Sequence, residues 1–150
     1  MDFSFTEEQI LLRDSVRKLM ERVATPDYVA RLDREKAYPH ELFAAWTEAG
    51  LLGLPFPEDL GGAGGSVLDL ALVCEEIGRT SADLVMAYAG GLFCGLTVAR
   101  KGSDEQKKKW IPALIEGRIK FSIGISEPDA GSDVGAIRTV ARKDGGDWVL

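Results

Sequence analysis

The sequence predicts an α+β chain, with a helical block over residues 1–118 and the start of a β-region over 119–150. Three observations predict it. Capping residues followed by apolar residues at helical spacing recur along the first two-thirds. At Lys120 the apolar period changes to two. Turn residues then punctuate short alternating runs up to Leu150.

The helices follow in order. Thr6 is an N-cap with Gln9 completing a capping box, and Phe5 and Ile10 suit a hydrophobic staple. Leu12, Val16, Leu19, Met20 and Val23 then form one apolar face. Pro26 ends or restarts the chain, and Tyr28 to Lys36 reads as a weak helix. Pro39 opens the next helix, with Leu42, Trp46 and Ala49 on one face and Gly50 as its stop. Residues 54–65 hold two prolines and four glycines and read as a loop. Neither a dinucleotide fingerprint nor a P-loop ending is present, so a structural connection is the better reading than a phosphate cradle. Ser66 with Asp69 caps a helix whose face is Val67, Leu70, Cys74 and Ile77. Ser81 caps the apolar run Leu84 to Ala99, and Ser103 with Gln106 caps a helix carrying Trp110 and Leu114. Lys107, Lys108 and Lys109 read as a solvated helix face.

Composition narrows the function classes. Hydrophobic residues make up 45% of the 150 and charged residues 28%, enough for a globular core. The net charge of −6 argues against a nucleic-acid binder. An anionic ligand is still compatible, since backbone N–H groups hold phosphate locally. Cys74 and Cys94 lack metal-type spacing and read as buried free thiols of a reducing compartment. His40 is the single histidine and reads as surface, so no metal site is expected. The opening Met1-Asp2-Phe3 is acidic and has no signal-peptide pattern. The uncharged run between Asp83 and Arg100 is shorter than the roughly 20 residues of a membrane span and is interrupted by Gly90, Gly91 and Gly95. It reads as a buried central helix, and the protein as cytoplasmic.

The chemistry concentrates after Lys120. Phe121, Ile123 and Ile125 alternate with Ser122, Gly124 and Ser126, giving one bulky face and one small face. A flat ring could lie on the small face against main-chain atoms. The turn 128–133 offers successive N–H donors and the Ser132 hydroxyl, suited to a pyrophosphate. On alternation alone, an ordinary half-buried strand, turn and strand is the favoured reading. A second strand is expected from Ala136 to Arg142, then a hairpin turn at 144–147 into Trp148-Val149-Leu150. A sheet needs three or more strands, so the chain is expected to be part of a longer protein.

The stretch Ile125-Ser126-Glu127-Pro128-Asp129-Ala130-Gly131-Ser132-Asp133 resembles the Thr-Glu-Pro-x-Ala-Gly-Ser-Asp signature of acyl-CoA dehydrogenases, with Ser126 in place of threonine. The likeness runs in order along nearly the whole chain. It includes residues 5–9, Ala49 to Gly53 with Pro57-Glu58 and Gly61-Gly62, Glu75 to Arg79, Gly102 to Lys107, Trp110-Ile111-Pro112, and Glu116-Gly117.

The resemblance implies a helical N-terminal domain over 1–118 and the start of a flavin-binding, β-barrel-like middle domain over 119–150. A C-terminal four-helix domain would lie outside this chain. FAD is the implied cofactor. Backbone at Ile123 and Ile125, with backbone and hydroxyl of Ser126, would bond the flavin ring. Gly131 and Ser132 would meet the pyrophosphate, and Ser132 would also touch the CoA side of the substrate. The acyl chain would enter beside Met86 to Leu96, whose glycines would leave room for it. The implied reaction is α,β-dehydrogenation of an acyl-CoA, with a glutamate base beyond residue 150 and Glu127 structural. Implied partners are an electron-transferring flavoprotein and further copies of the chain, as a homotetramer. Alternatives are an enoyl-CoA reductase, an acyl-CoA oxidase, or a non-catalytic acyl-CoA-binding or assembly module.

Overall fold

The computed structural model describes residues 4–150; Met1-Asp2-Phe3, read above as an acidic lead-in, lie outside the described residues. Six helices come first: α1 (Glu7–Val23), α2 (Pro26–Glu35), α3 (His40–Glu48), α4 (Val67–Gly78), α5 (Ala82–Lys101) and α6 (Asp104–Ile115). A short antiparallel hairpin, β1 (Arg142–Asp144) and β2 (Asp147–Val149), closes the chain.

Side chains fix most of the helix starts. Complete capping boxes stand at Thr6 with Gln9, Ser66 with Asp69 and Ser103 with Gln106. Each satisfies backbone N–H groups that a helix N-terminus leaves open. Two of these boxes are joined, because the Gln9 side-chain amide donates to Asp69 at 3.1 Å. The segment after Pro26, which reads as weak, is a full ten-residue helix, with Thr25 as N-cap, proline in its first turn and a left-handed Lys36 at its end.

The helices share one core. Consecutive packing of α4, α5 and α6, with α1 against α4 and α3, buries Val16, Leu42, Trp46, Phe56, Val73, Ile77, Tyr88, Leu92, Ile111 and Leu114 almost completely. Trp46 meets Tyr88 edge-on at 5.3 Å between ring centroids, and the Tyr88 hydroxyl donates to the Leu51 carbonyl at 2.8 Å. Burying each such side chain stabilises the fold by about 1.5–3 kcal/mol before ordering costs.

The glycine-rich loop is the structural connection expected. Its N–H groups are already committed: Gly62 donates to Pro57, Ala63 to Gly53, Gly64 to Phe56 and Gly65 to Leu54. A side chain at Gly62 would place its Cβ 2.1 Å from the Phe56 carbonyl oxygen, so this crossing needs glycine. Donors turned onto their own loop are not free to hold a phosphate.

Several expectations are corrected. Val67 is exposed, and the inward face of α4 is Leu70, Leu72, Val73, Glu76 and Ile77. As the first residue of the helix, Val67 lies beyond the neighbours that cover the rest. Ala49 is an exposed C-cap rather than a face residue, and Phe43 takes its place in the core. Helix α5 is 20 residues long and only partly buried: Leu84, Tyr88, Ala89, Leu92 and Gly95 point inward, while Met86 is 67% and Phe93 55% exposed. By length and composition alone it could cross a membrane. Here its inward face packs between α4 and α6. Cys74 and Cys94 are free and half-buried, not fully buried.

The largest correction concerns 119–141. Residues 121–126 form no strand, and neither do 137–141. Strand hydrogen bonds need a neighbour, and among the described residues none lies alongside. In its place the Glu127 carboxylate accepts the N–H groups of Arg138 at 2.9 Å and Thr139 at 2.8 Å. The 144–147 turn forms as expected, with Arg142 opposite Val149, Asp144 opposite Asp147, and Gly145 at φ +57°.

Candidate functional site

After α6 the chain turns back over the helices. The backbone of Phe121 crosses α5 at Gly91, where an added Cβ would lie 3.5 Å from the Phe121 carbonyl oxygen. This approach borders an open cavity of about 360 Å³ between the first half of α5, the segment 120–123 and the start of the α3 region. Its walls include Met86, Gly90, Leu92, Tyr38, Phe43 and Ile123. A concave, largely apolar space of this size suits a small apolar group.

The three glycines of α5 do different work, which corrects the expectation that all leave room for a ligand. Only Gly90 faces open space. At Gly91 the room is taken by main chain. At Gly95 an added Cβ would stand 2.4 Å from Leu114 and 2.8 Å from the Phe56 ring, so Gly95 serves helix packing.

The sequence-predicted site residues divide into two groups. Ile123, 66% exposed, lines the cavity beside Met86 and Gly90. Ile125, Ser126, Gly131 and Ser132 do not line it; all four are exposed along the next stretch. A tight turn follows Ser126, in which Glu127 and Ala130 exchange backbone hydrogen bonds of 2.9 and 3.2 Å. Ala130 is buried and anchors the turn, while positions 124 and 131 have nothing within 4 Å of an added Cβ. The small-residue surface is therefore open and reachable by a flat or anionic group, although the strand expected to carry it is not formed. Open glycines and exposed hydroxyls of this kind could lie against a flat ring or a phosphate.

Glu127 is held in a structural role. Hydrogen bonds from Thr139, through its side chain and its N–H, and from the N–H of Arg138 keep its carboxyl below the usual carboxylate range. A carboxylate so occupied is a poor proton acceptor. Among the described residues no group of three His, Cys, Asp or Glu side chains is arranged as a metal site.

Residue-type reasoning missed three features. Tyr38, Phe43 and Lys120 make an aromatic–cation cluster, with the Lys120 ammonium 4.9 Å from one ring centroid and 4.6 Å from the other. No motif signals it, because Lys120 lies far in sequence from the two rings. Glu76 is 3% exposed and paired with Arg17 at 2.7 Å; helical spacing placed Glu76 among apolar residues, a usable signal. The third is a larger groove of about 1,190 Å³, bounded by α1, α2 and the junction of α4 with α5, and lined by none of the predicted site residues.

Residues 6–118 match the family described as acyl-CoA dehydrogenase, N-terminal domain. The acyl-CoA dehydrogenase FadE12 of Mycobacterium tuberculosis is 36% identical over 99% of this chain and 39% of its own length. A solved structure described as the electron transferring flavoprotein of Acidaminococcus fermentans contains a chain matching with a TM-score of 0.90 at 30% identity, over 100% of this chain and 40% of that one. An acyl-CoA dehydrogenase complexed with FAD from Bacillus anthracis matches with a TM-score of 0.85 at 26% identity, over 95% of this chain and 25% of that one. The chain thus spans about two fifths of the length of the curated relatives it matches. By its ordered helices and this match over most of its residues, the chain belongs to the acyl-CoA dehydrogenase family.

Proposed function

We propose that this chain contributes the helical domain and the first part of the flavin-binding β-domain of an FAD-dependent acyl-CoA dehydrogenase, with the boundary near residue 118. The observation that carries the proposal is the cavity wall shared by Ile123 and α5. Ile123 lines an apolar cavity with α5, which supports reading that cavity as the acyl space beside the flavin. Bound FAD would supply the redox chemistry.

The chain's own residues have positioning roles in this proposal. Backbone at Ile123 and Ile125, and the backbone and hydroxyl of Ser126, orient the flavin ring. Gly131 admits the pyrophosphate by having no side chain, and Ser132 offers its hydroxyl there and toward the CoA side. Met86 and Gly90 border the acyl chain, Gly90 leaving room for it by having no side chain. The proton acceptor in this reading is a glutamate outside residues 1–150, as the family resemblance implies, and Glu127 is tied to Arg138 and Thr139. An electron-transferring flavoprotein is the proposed acceptor, supported by the match to the Acidaminococcus fermentans structure described as such a flavoprotein. A homotetramer is the proposed assembly.

The test is optical. Full-length protein is expected to be purified yellow and to bleach anaerobically when a saturated acyl-CoA is added. A colourless protein that still binds acyl-CoA would instead identify a non-catalytic binding module. Flavin reduced by NADH and reoxidised by an enoyl-CoA would identify a reductase, and rapid reoxidation by oxygen an oxidase.

A further inference from the structure

We propose that Lys120 is the counter-ion for a negatively charged group at the far end of the acyl chain, so that the cavity selects acyl thioesters carrying an ω-carboxylate. The proposal rests on the reading of this cavity as the acyl site.

Among the described residues Lys120 is the only charged one lining the cavity. Four lining residues carry polar side-chain atoms: Tyr38, Tyr88, Lys120 and Ser122. Both tyrosine hydroxyls are already directed to backbone carbonyls, Tyr88 to Leu51 at 2.8 Å and Tyr38 to Ala87 at 3.5 Å. That leaves the ammonium and the Ser122 hydroxyl for a ligand. Among the described residues Lys120 has no ion pair and no hydrogen bond. What it has instead is the faces of Tyr38 and Phe43, at 4.9 and 4.6 Å.

Two rings hold a cation in place without using its N–H donors. An ammonium so held is preorganised and keeps hydrogen bonds to give. Lys120 is exposed at the rim of the cavity, where a carboxylate reaching it would accept a charge-assisted hydrogen bond. A terminal methyl in its place would gain nothing from the charge. The competing role for Lys120 is a clip that fastens residues 119–123 to α3. A clip would affect folding and binding of every acyl chain alike; a counter-ion affects only the charged one.

Adipoyl-CoA and hexanoyl-CoA separate the two roles, because they match in chain length and differ at the terminal group. Full-length protein would be titrated with each by calorimetry, which reads binding without turnover, and flavin bleaching followed in parallel. Binding of adipoyl-CoA is expected to weaken about tenfold or more in Lys120→Met, with hexanoyl-CoA changed less than about twofold; Lys120→Arg, which keeps charge and ring contact, is expected to retain the preference. An unchanged ratio of the two affinities in Lys120→Met, equal losses for both ligands, or no binding of either by the unmodified protein would overturn the inference. Selective binding that Lys120→Met abolishes, without bleaching by either compound, would support the counter-ion role while sinking the dehydrogenase reading.

Discussion

The two parts of the chain use glycine and apolar residues for opposite ends. In the helical block, Gly62 against Phe56 and Gly95 against Leu114 stand where an added side chain would collide, while Gly90 faces open space. In the segment 119–150, Gly124, Gly131 and Gly146 face empty space. The apolar residues divide the same way. Trp46, Phe56, Tyr88 and Ile111 are sealed in one core, whereas Ile123, Ile125, Val134, Val140 and Trp148 are exposed. The first part is shaped by what it buries. The second, within these 150 residues, leaves its apolar and small residues uncovered, and a substitution in each should therefore fail in a different assay.

The sharpest way to break that contrast is Gly62→Ala. The methyl would be forced against the Phe56 carbonyl, a main-chain atom that cannot swing aside as a side chain can. Relief requires opening the loop whose N–H groups close onto residues 53–57. The expected loss is about 3 kcal/mol, at the upper end of ordinary overpacking. It should be read as a fall in thermal unfolding midpoint on the order of 4 °C in full-length protein. A midpoint within about 1 °C of the parent's would show that the loop is not part of the packed block.

How much of this is legible in the sequence follows the same division. Thr6, Ser66 and Ser103 announce their helices because a cap and its box are local chemistry, complete within four residues. Val16, Leu19 and Met20 declare an inward face because helix period and burial coincide there. The alternation at 121–126 is real but makes no strand, because a strand is a relation to a partner and not a property of one segment. For the site, the order of residues around Ser126 and Gly131 carries the family likeness. The cavity does not show in the sequence, since Tyr38, Gly90 and Lys120 meet only once α3, α5 and the turn after α6 are packed.

A smaller effect sharpens the picture of the helical block. Glu76 is its one buried charged residue among those described, and Arg17 binds it with two hydrogen bonds of 2.7 and 3.0 Å. Those bonds, led by the side-chain contact with Arg17, hold the Glu76 carboxyl below the usual carboxylate range. A carboxyl depressed in the folded state stabilises fully above its unfolded value, near 4.3, and that contribution is lost as pH falls through the lower folded value. Glu76→Gln is expected to cost about 2 kcal/mol at neutral pH, the scale of a weakened buried hydrogen-bond partner. The gap between parent and variant should shrink as pH drops below about 4. A gap independent of pH would assign the loss to packing rather than charge.

Gly131→Val should do least to stability and most to the cofactor. An added Cβ at 131 meets nothing within 4 Å, so flavin-free protein is expected to melt within about 0.5 kcal/mol of the parent. If the pyrophosphate approaches this backbone, the branched side chain would occupy its path, and the flavin-to-protein absorbance ratio should fall severalfold. The two readouts must separate for the contrast to hold. A parallel fall in both would place Gly131 with Gly62, as a glycine needed by packing. Full flavin content in a stably folded variant would remove the pyrophosphate from this turn, and the open face at 124–131 would need another occupant.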